Sequence, residues 1–386
     1  MRSFFSSACP PRQWRVTTLE LGPGGPDSAE LSWVLACQNA ADLADRPGEP
    51  ASSPAELRGL LVPPYRGRRV LFAAADESGG LAGWARLGLY EAFHRDLAHA
   101  AITVHPSARR CGVGSLLLDA LAQASRSRRR TRLILDAPRT GASEAFATRH
   151  GLFVSSRDLR SRLDLDRRDL PHRLATATNP SAVPRQGRRH ARPTLGDGYA
   201  ALQWKGPCPT EFLAGYVRTL DFLHGGQAPA PAPAPTPASP GSPAPVAAPK
   251  SGFTLGAGSG PAAPASTPFT SAEVRHREQA AARAGLREYT ACLIDRATGR
   301  IAALSSAHTA DGLRGEQNET IVAPDYRGLG LAVRVKAQLI RELLAAEPSL
   351  SMLDTYNAVD NHRMLAVNRR LGFRPLDAHA AWTLTL

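Results

Sequence analysis

Lysine is nearly absent from this chain. Only Lys205, Lys250 and Lys336 carry it, so the formal charge of +13 rests almost wholly on arginine. With abundant Ala, Pro and Gly, that skew points to a GC-rich coding bias as much as to a function. Cysteine is sparse as well: Cys9, Cys37, Cys111, Cys208 and Cys292 are odd in number, scattered, and form no CxxC pair. Neither a disulfide framework nor a zinc site is indicated, and five free thiols are expected. No apolar run approaches the ~20 residues that span a bilayer. The stretch Met1–Pro10 is too short in apolar residues for a secretory signal and reads as a ragged terminus. A cytoplasmic protein with no membrane partner is expected. His150, His308 and His362 stand alone, without a paired carboxylate or metal-ligand spacing, so no metal is expected.

The arginines cluster at Arg126–Arg130 with Arg132, and at Arg185, Arg188, Arg189 and Arg192. No aromatic interleaving or nucleic-acid module accompanies them, so they read as solvated turn and linker charges rather than a nucleic-acid footprint.

The 386 residues, of which 43% are hydrophobic, suffice for two ordinary cores. The first half alternates strands and helices: strands at 14–21, 70–75, 81–90, 100–104, 131–137 and 152–165, helices at 28–43, 112–125 and 142–150. Residues 167–194 are Pro- and Arg-rich without clear periodicity and read as a connector. The plan then repeats, with strands at 199–204, 289–295, 301–308, 319–322, 352–355 and 382–386. Its helices fall at 210–223, capped by Thr210, at 333–344 and at 362–371. Two domains are expected, 1–166 and 195–386. A Pro/Ala/Gly/Ser tract at about 225–270, too poor in large apolar residues to pack, interrupts the second.

One loop pattern occurs twice in identical register. Val104-His-Pro106-Ser-Ala-Arg109-Arg-Cys-Gly112-Val-Gly114 and Val322-Ala-Pro324-Asp-Tyr-Arg327-Gly328-Leu-Gly330-Leu-Ala332 both fit V-x-P-x-x-R-x-x-G-x-[GA]. Each follows a β-branched apolar run and precedes helical apolar spacing, so each joins a strand end to a helix N-terminus. Free amides there, beside small residues, make a cradle for phosphate oxygens. Arg109 and Arg327 add charge-assisted contacts. One copy would be weak evidence; two at one spacing are strong.

This doubled pattern resembles the acetyl-CoA loop of the GNAT acyltransferase superfamily, in the tandem arrangement typified by mycothiol synthase and related actinobacterial acetyltransferases. The resemblance implies an α/β fold of two tandem domains, each a mixed, mostly antiparallel twisted sheet flanked by helices. It implies acetyl-CoA as cosubstrate and transfer of an acetyl or short acyl group to an amine by direct attack. A small-molecule amine acceptor is expected, without nucleic acid, on a monomer or homodimer. The strand before each loop splays from its neighbour in the family, so the backbone of Val104 and Val322 meets the thioester carbonyl. Asn361 matches the family's Asn beside the pantetheine arm, where the first copy has Thr140.

For the base, Glu319 lies three residues before Val322, where the first copy has Ala101. A carboxylate beside an apolar strand takes a raised pKa and accepts the amine proton; an exposed strand-edge Glu is the alternative reading. Gln317, Asn318 and Asn357 are placed to orient substrate or water. The resemblance puts an acid tyrosine where this chain has Asn368 and Ala147, so thiolate protonation falls to Tyr356, to water, or to no dedicated residue. The second copy is expected to be catalytic and the first to bind weakly or act as scaffold. A non-catalytic acyl-CoA-binding or interaction protein built on a degenerate tandem GNAT fold is the alternative.

Overall fold

The computed structural model describes residues 13–21, 28–63, 67–91, 95–165, 168–178, 198–222, 269–310 and 312–386. The opening terminus, Cys9, the arginines at 185–192 and the Pro/Ala-rich tract up to residue 268 lie outside these. The described chain divides into two compact units, the first up to Ala137 with Gly141–Phe153 and Trp382–Leu386, the second Pro138–Thr140 with Val154–Ala381.

The first unit carries β1 (Arg15–Leu21), α1 (Ser28–Asp45), α2 (Pro54–Leu61), β2 (Gly67–Ala75), β3 (Leu81–Tyr90), β4 (Leu97–Val104), α3 (Val113–Ser127), β5 (Arg132–Pro138) and α4 (Gly141–Arg149). Its strands are ordered β1-β2-β3-β4-β5, antiparallel except for the parallel β4–β5 pair. Strand alternation sends Phe72, Ala85, Leu87 and Ala100 to one face, where Leu117 and Leu121 of α3 cover them. Leu71 and Trp84 point the other way, onto Val34 of α1 and Leu57 of α2. The sequence reading did not anticipate α2; Ser53 and Glu56 close a capping box at its start.

The second unit begins with β6 (Phe153–Asp164), followed by α5 (Leu170–Thr178), β7 (Tyr199–Lys205), α6 (Thr210–Leu220), α7 (Ser271–Ala284), β8 (Arg287–Asp295), β9 (Ile301–Thr309) and β10 (Arg314–Val322). Then come α8 (Leu331–Ala346), β11 (Met352–Ala358), α9 (His362–Leu371) and β12 (Arg374–Thr385). The strand order is β7-β8-β9-β10-β11-β6-β12, with β10 and β11 parallel. One face packs on α8 through Leu331, Val335, Leu339 and Leu343; the other lies under α6 and α7. Each unit is thus a mixed, mostly antiparallel sheet flanked by helices.

The compact units do not follow the division expected at residues 166 and 195. β6, read as the closing strand of the first domain, lies between β11 and β12 of the second unit. Charge complementarity explains the placement. Arg160 on β6 donates to Asp377 of β12, from Nε at 3.0 Å, and to Asp354 of β11 at 3.3 Å. Arg162 grips Asp354 with two bonds of 2.7 Å. Arg160 and Asp354 are only 1% and 2% exposed, so each charge depends on its partner. Burial opposes ionisation of Asp377, yet the hydrogen bonds of His379 and Arg160 hold it well below the usual carboxylate range. At the chain's end, Leu384 and Leu386 pack on the first unit's core.

Four further expectations are corrected. The connector contains α5, whose Leu170, Leu174 and Ala177 are buried at i, i+4 and i+7; the charged residues between them hide that stripe in the sequence. Thr210 is the first helical residue of α6 and not its cap, a place taken by Pro209. Cys111 is disulfide-bonded, which removes it from the five free thiols; Cys37, Cys208 and Cys292 are free. Within the arginine cluster, Arg130 is buried and donates to the Arg95 carbonyl, while Arg132 pairs with Asp96 at 2.5 Å. If α5 belongs to the second core as its burial indicates, Leu174→Ala costs about 2–5 kcal/mol in denaturant unfolding, and a loss below about 1 kcal/mol refutes that.

Candidate active site

The two matched loops have one backbone path. After a short 3-10 turn at Pro106–Ala108 or Pro324–Tyr326, Arg109 and Arg327 are extended, at φ −66°, ψ 149° and φ −68°, ψ 150°. The chain then passes twice through the left-handed region, at Arg110 (φ 65°) and Gly112 (φ 86°), and at Gly328 (φ 79°) and Gly330 (φ 75°). Gly112 and Gly330 are the N-caps of α3 and α8 and carry no side-chain cap, so the first-turn amides stay open. A Cβ at either glycine would meet nothing within 4 Å. Space, open amides and a helix N-terminus together fit a phosphate group.

Next to each loop the parallel ladder comes apart. β4 pairs with β5 only from Leu97↔Arg132 to Ala100↔Leu135, and β10 with β11 only from Arg314↔Met352 to Gln317↔Thr355. Both strands of each pair run on, leaving a wedge-shaped gap. Ala323 N–H bonds Ala302 O on the β9 side, so alternation turns the Val322 N–H toward the gap. His105 N–H bonds Ala82 O, which does the same for Val104.

A bulge distinguishes the second copy. β9–β10 pairing shifts between Gln317 and Thr320, whereas β3–β4 pairing runs unbroken from Gly83↔Val104 to Leu89↔Ala98. The buried Gln317 amide holds the bulge by donating to Ser305 Oγ at 2.8 Å and Thr320 Oγ1 at 2.9 Å. Ser305 Oγ also donates to the Glu319 carbonyl at 3.2 Å. The register equivalents of Ser305 and Thr320 are Ala85 and Ile102, which offer no such bonds and stay in a regular ladder.

The bulge delivers Glu319 to a cleft under α6 and α7, lined by Trp204, Tyr216, Glu288, Ser306 and Asn318 among others. Ser306 Oγ donates to Glu319 Oε2 at 2.7 Å. Burial, reinforced by Glu319, raises Glu288 to about 8 and pushes the Tyr216 phenol well above its ordinary value. Glu288 is a cleft residue that the sequence reading missed. Burial lowers His308 to about 4, so it is neutral near pH 7 and its Nδ1–H faces Asn318 Oδ1 at 3.0 Å.

The remaining site residues are placed apart from that cleft's lining. Asn368 is 1% exposed and fully engaged: its Oδ1 accepts from Lys336 Nζ and its Nδ2 donates to Asn357 Oδ1 at 2.6 Å. Asn357 and Asn368 thus join α8, α9 and β11 in one buried polar chain. Lys336, the sole lysine in α8, also lies 5.1 Å from the Phe373 ring. Tyr356 is buried with its ring edge-on to His379 at 5.1 Å. Asn361 is the N-cap of α9, its Oδ1 accepting from Met364 N–H at 3.2 Å. Among the described residues no group of three or more potential ligands could hold a metal.

The two grips also differ. Arg109 and Arg327 each donate from Nε to the carbonyl of Val104 or Val322 at 3.3 Å, but Arg109 is also clamped by Asp45 through bonds of 2.6 and 2.9 Å, a clamp that Arg327 lacks among the described residues. Phe146 of α4 would stand 3.2 Å from a Cβ at Gly114, so a ring flanks the first loop. Position for position, Glu288 corresponds to Arg69, Ser306 to Arg86 and Glu319 to Ala101. Burial and Arg86 together push Arg69 down to about 9, so the equivalent face of the first unit is basic where the second is acidic. Because Asn368 fills a closed slot, Asn368→Tyr should cost about 1–3 kcal/mol by overpacking and leave turnover no higher, as denaturation and a thiol-release assay would show.

Residues 40–152 match the acetyltransferase (GNAT) family. No curated protein matches the chain. Among solved structures it is similar to a tandem GNAT protein from the clavulanic acid biosynthesis pathway, with 22% identity over 96% of this chain and 98% of that one and a TM-score of 0.69. It is also similar to a GCN5-related N-acetyltransferase from Sphaerobacter thermophilus, at 12% identity, 95% of each chain and a TM-score of 0.61. Saccharomyces cerevisiae N-myristoyltransferase gives 10% identity, 96% of this chain, 80% of that one and a TM-score of 0.52. The chain thus has the fold of a tandem GNAT protein, within which residues 40–152 match the acetyltransferase (GNAT) family.

Proposed function

We propose that the protein is a cytoplasmic N-acetyltransferase that moves an acetyl or short acyl group from acetyl-CoA to a small-molecule amine, with the second unit catalytic. The observation that carries this reading is the bulge at Gln317–Thr320, which turns Glu319 into the cleft on the strand whose end, at Val322, runs beside a splayed ladder. Acetyl-CoA supplies a thioester carbonyl for direct attack by nitrogen and a thiolate that leaves as the C–N bond forms. The amides of the Arg327–Ala332 loop hold its phosphates, with Arg327 as counter-charge. The Val322 N–H stabilises the developing oxyanion, a role in which one backbone donor contributes on the order of 2.7–4 kcal/mol. Glu319, oriented by Ser306, takes the proton that nitrogen loses. No side chain is assigned as the acid, since Asn368 is enclosed and Tyr356 is buried against His379; a thiol leaves readily and water suffices.

The clamp of Asp45 on Arg109, the missing bulge and Ala101 in place of Glu319 favour a non-catalytic first unit that binds the cosubstrate weakly or not at all. Calorimetric titration of acetyl-CoA separates the halves. Gly330→Glu, which forces a carboxylate and a β-carbon into a left-handed position, should abolish the main binding event, and Gly112→Glu should leave it. The opposite pattern reverses the assignment, and no binding to the wild type removes the reading. With binding intact, Glu319→Gln should lower kcat by about 10²–10⁴ with little change in the affinity for acetyl-CoA. An unchanged kcat would relieve Glu319 of its role.

A further inference from the structure

The lining of the Glu319 cleft carries information about the acceptor. Five charged groups border it or lie beside it. Glu278 is spent: Oε2 pairs with Arg275 at 2.7 Å and Oε1 accepts the Cys208 N–H at 2.7 Å. Arg277 is drawn aside over the Phe269 ring, 4.9 Å from its centroid. Glu319 is held by Ser306. Glu288 differs from all of these, because its side chain lies half-buried on the cleft wall and has no hydrogen-bond partner among the described residues.

A half-buried carboxyl that no protein donor engages is available to a charged group of a ligand. Its neighbours make the preference for a cation stronger. Trp204 and Tyr216 stand edge to face at 5.8 Å on the wall, presenting the aromatic surface that ammonium groups favour. Neutral His308 adds no competing positive charge.

We propose that the acceptor carries two amine nitrogens, one attacking as the neutral amine beside Glu319 and the other held as an ammonium by Glu288 against the Trp204–Tyr216 wall. This rests on the amine acetyltransferase reading above and narrows it to diamine-like cations, with acceptors bearing a carboxylate at the second position disfavoured. The first unit supports the distinction. Arg69 and Arg86 occupy the positions of Glu288 and Ser306, so that face repels the same ligand. The state of Glu288 adds a sign. Raised to about 8 by burial, Glu319 and Glu278 against the single favourable charge of Arg277, it is mostly protonated at pH 7 in the empty cleft. A cation must displace that proton, so affinity should rise from pH 6 toward pH 8. The Tyr216 phenol stays neutral throughout this window.

Three acceptors of one chain length test the proposal: 1,4-diaminobutane, n-butylamine and 4-aminobutanoate. The wild type should acetylate the diamine with kcat/KM at least about tenfold above butylamine, with the amino acid poorest. Glu288→Gln should raise KM for the diamine to the level of butylamine while kcat for both stays, and Glu288→Lys should move preference toward 4-aminobutanoate. Equal use of diamine and butylamine by the wild type, or a preference that survives Glu288→Gln, overturns the inference and leaves the acetyltransferase reading standing. Should none of the three turn over, calorimetry with 1,4-diaminobutane still decides the cleft: binding lost in Glu288→Gln upholds it, and no binding to the wild type refutes it.

Discussion

The site depends on one interrupted ladder. β10 and β11 share hydrogen bonds only as far as Gln317 and Thr355, and beyond that point the backbone of β10 is committed on one side alone. Parallel strands ordinarily stay paired because an unmet amide in the interior costs free energy. Here the cost is met on the β9 side, where Gln317, Ser305 and Thr320 fix the bulge with side-chain bonds. The orientation of the Val322 N–H away from β9 follows from the interrupted ladder, and the turn of Glu319 into the cleft follows from the bulge. The loop glycines then set the cradle at the end of the same strand.

Duplication kept the scaffold and let the chemistry diverge. Both units retain the loop path and the splay, features of backbone that small residues and strand ends determine. What differs lies in side chains on the face under the paired helices. Ala85, Ile102 and Ala101 cannot make the bulge or supply a carboxylate, and Arg69 and Arg86 reverse the charge. In the first unit Asp45 takes the arginine that would otherwise face a phosphate.

The sequence made the loops and most elements legible because they are local. Gly112 and Gly330 cap helices, β-branched runs alternate, and a repeat at constant spacing needs no tertiary knowledge. Tertiary choices were hidden. Nothing in residues 152–165 says that this strand pairs with β11, since Arg160 and Arg162 find Asp354 and Asp377 roughly 190 to 220 positions later. The stripe of α5 was lost among Pro and Arg. Glu319 was readable from its distance to the motif, but Glu288 was not, because its meaning lies in what α6, α7 and β9 place around it. Asn368 invited a catalytic reading by position alone; only packing shows it enclosed with Lys336 and Asn357.

The balance of charge in the cleft bears on why the protein tolerates Glu288. A carboxyl whose folded pKa is raised to about 8 is protonated more readily in the folded state than in the unfolded one. Its ionisation therefore opposes folding increasingly as pH rises from the unfolded value toward the folded one, and the neutral acid is the low-cost state near pH 7. A cation held beside it, as proposed above, would relieve that cost by sharing the charge. In the same cleft Glu319 accepts a hydrogen bond from Ser306, whereas Glu288 has no such donor among the described residues, so the two carboxyls meet a ligand on different terms.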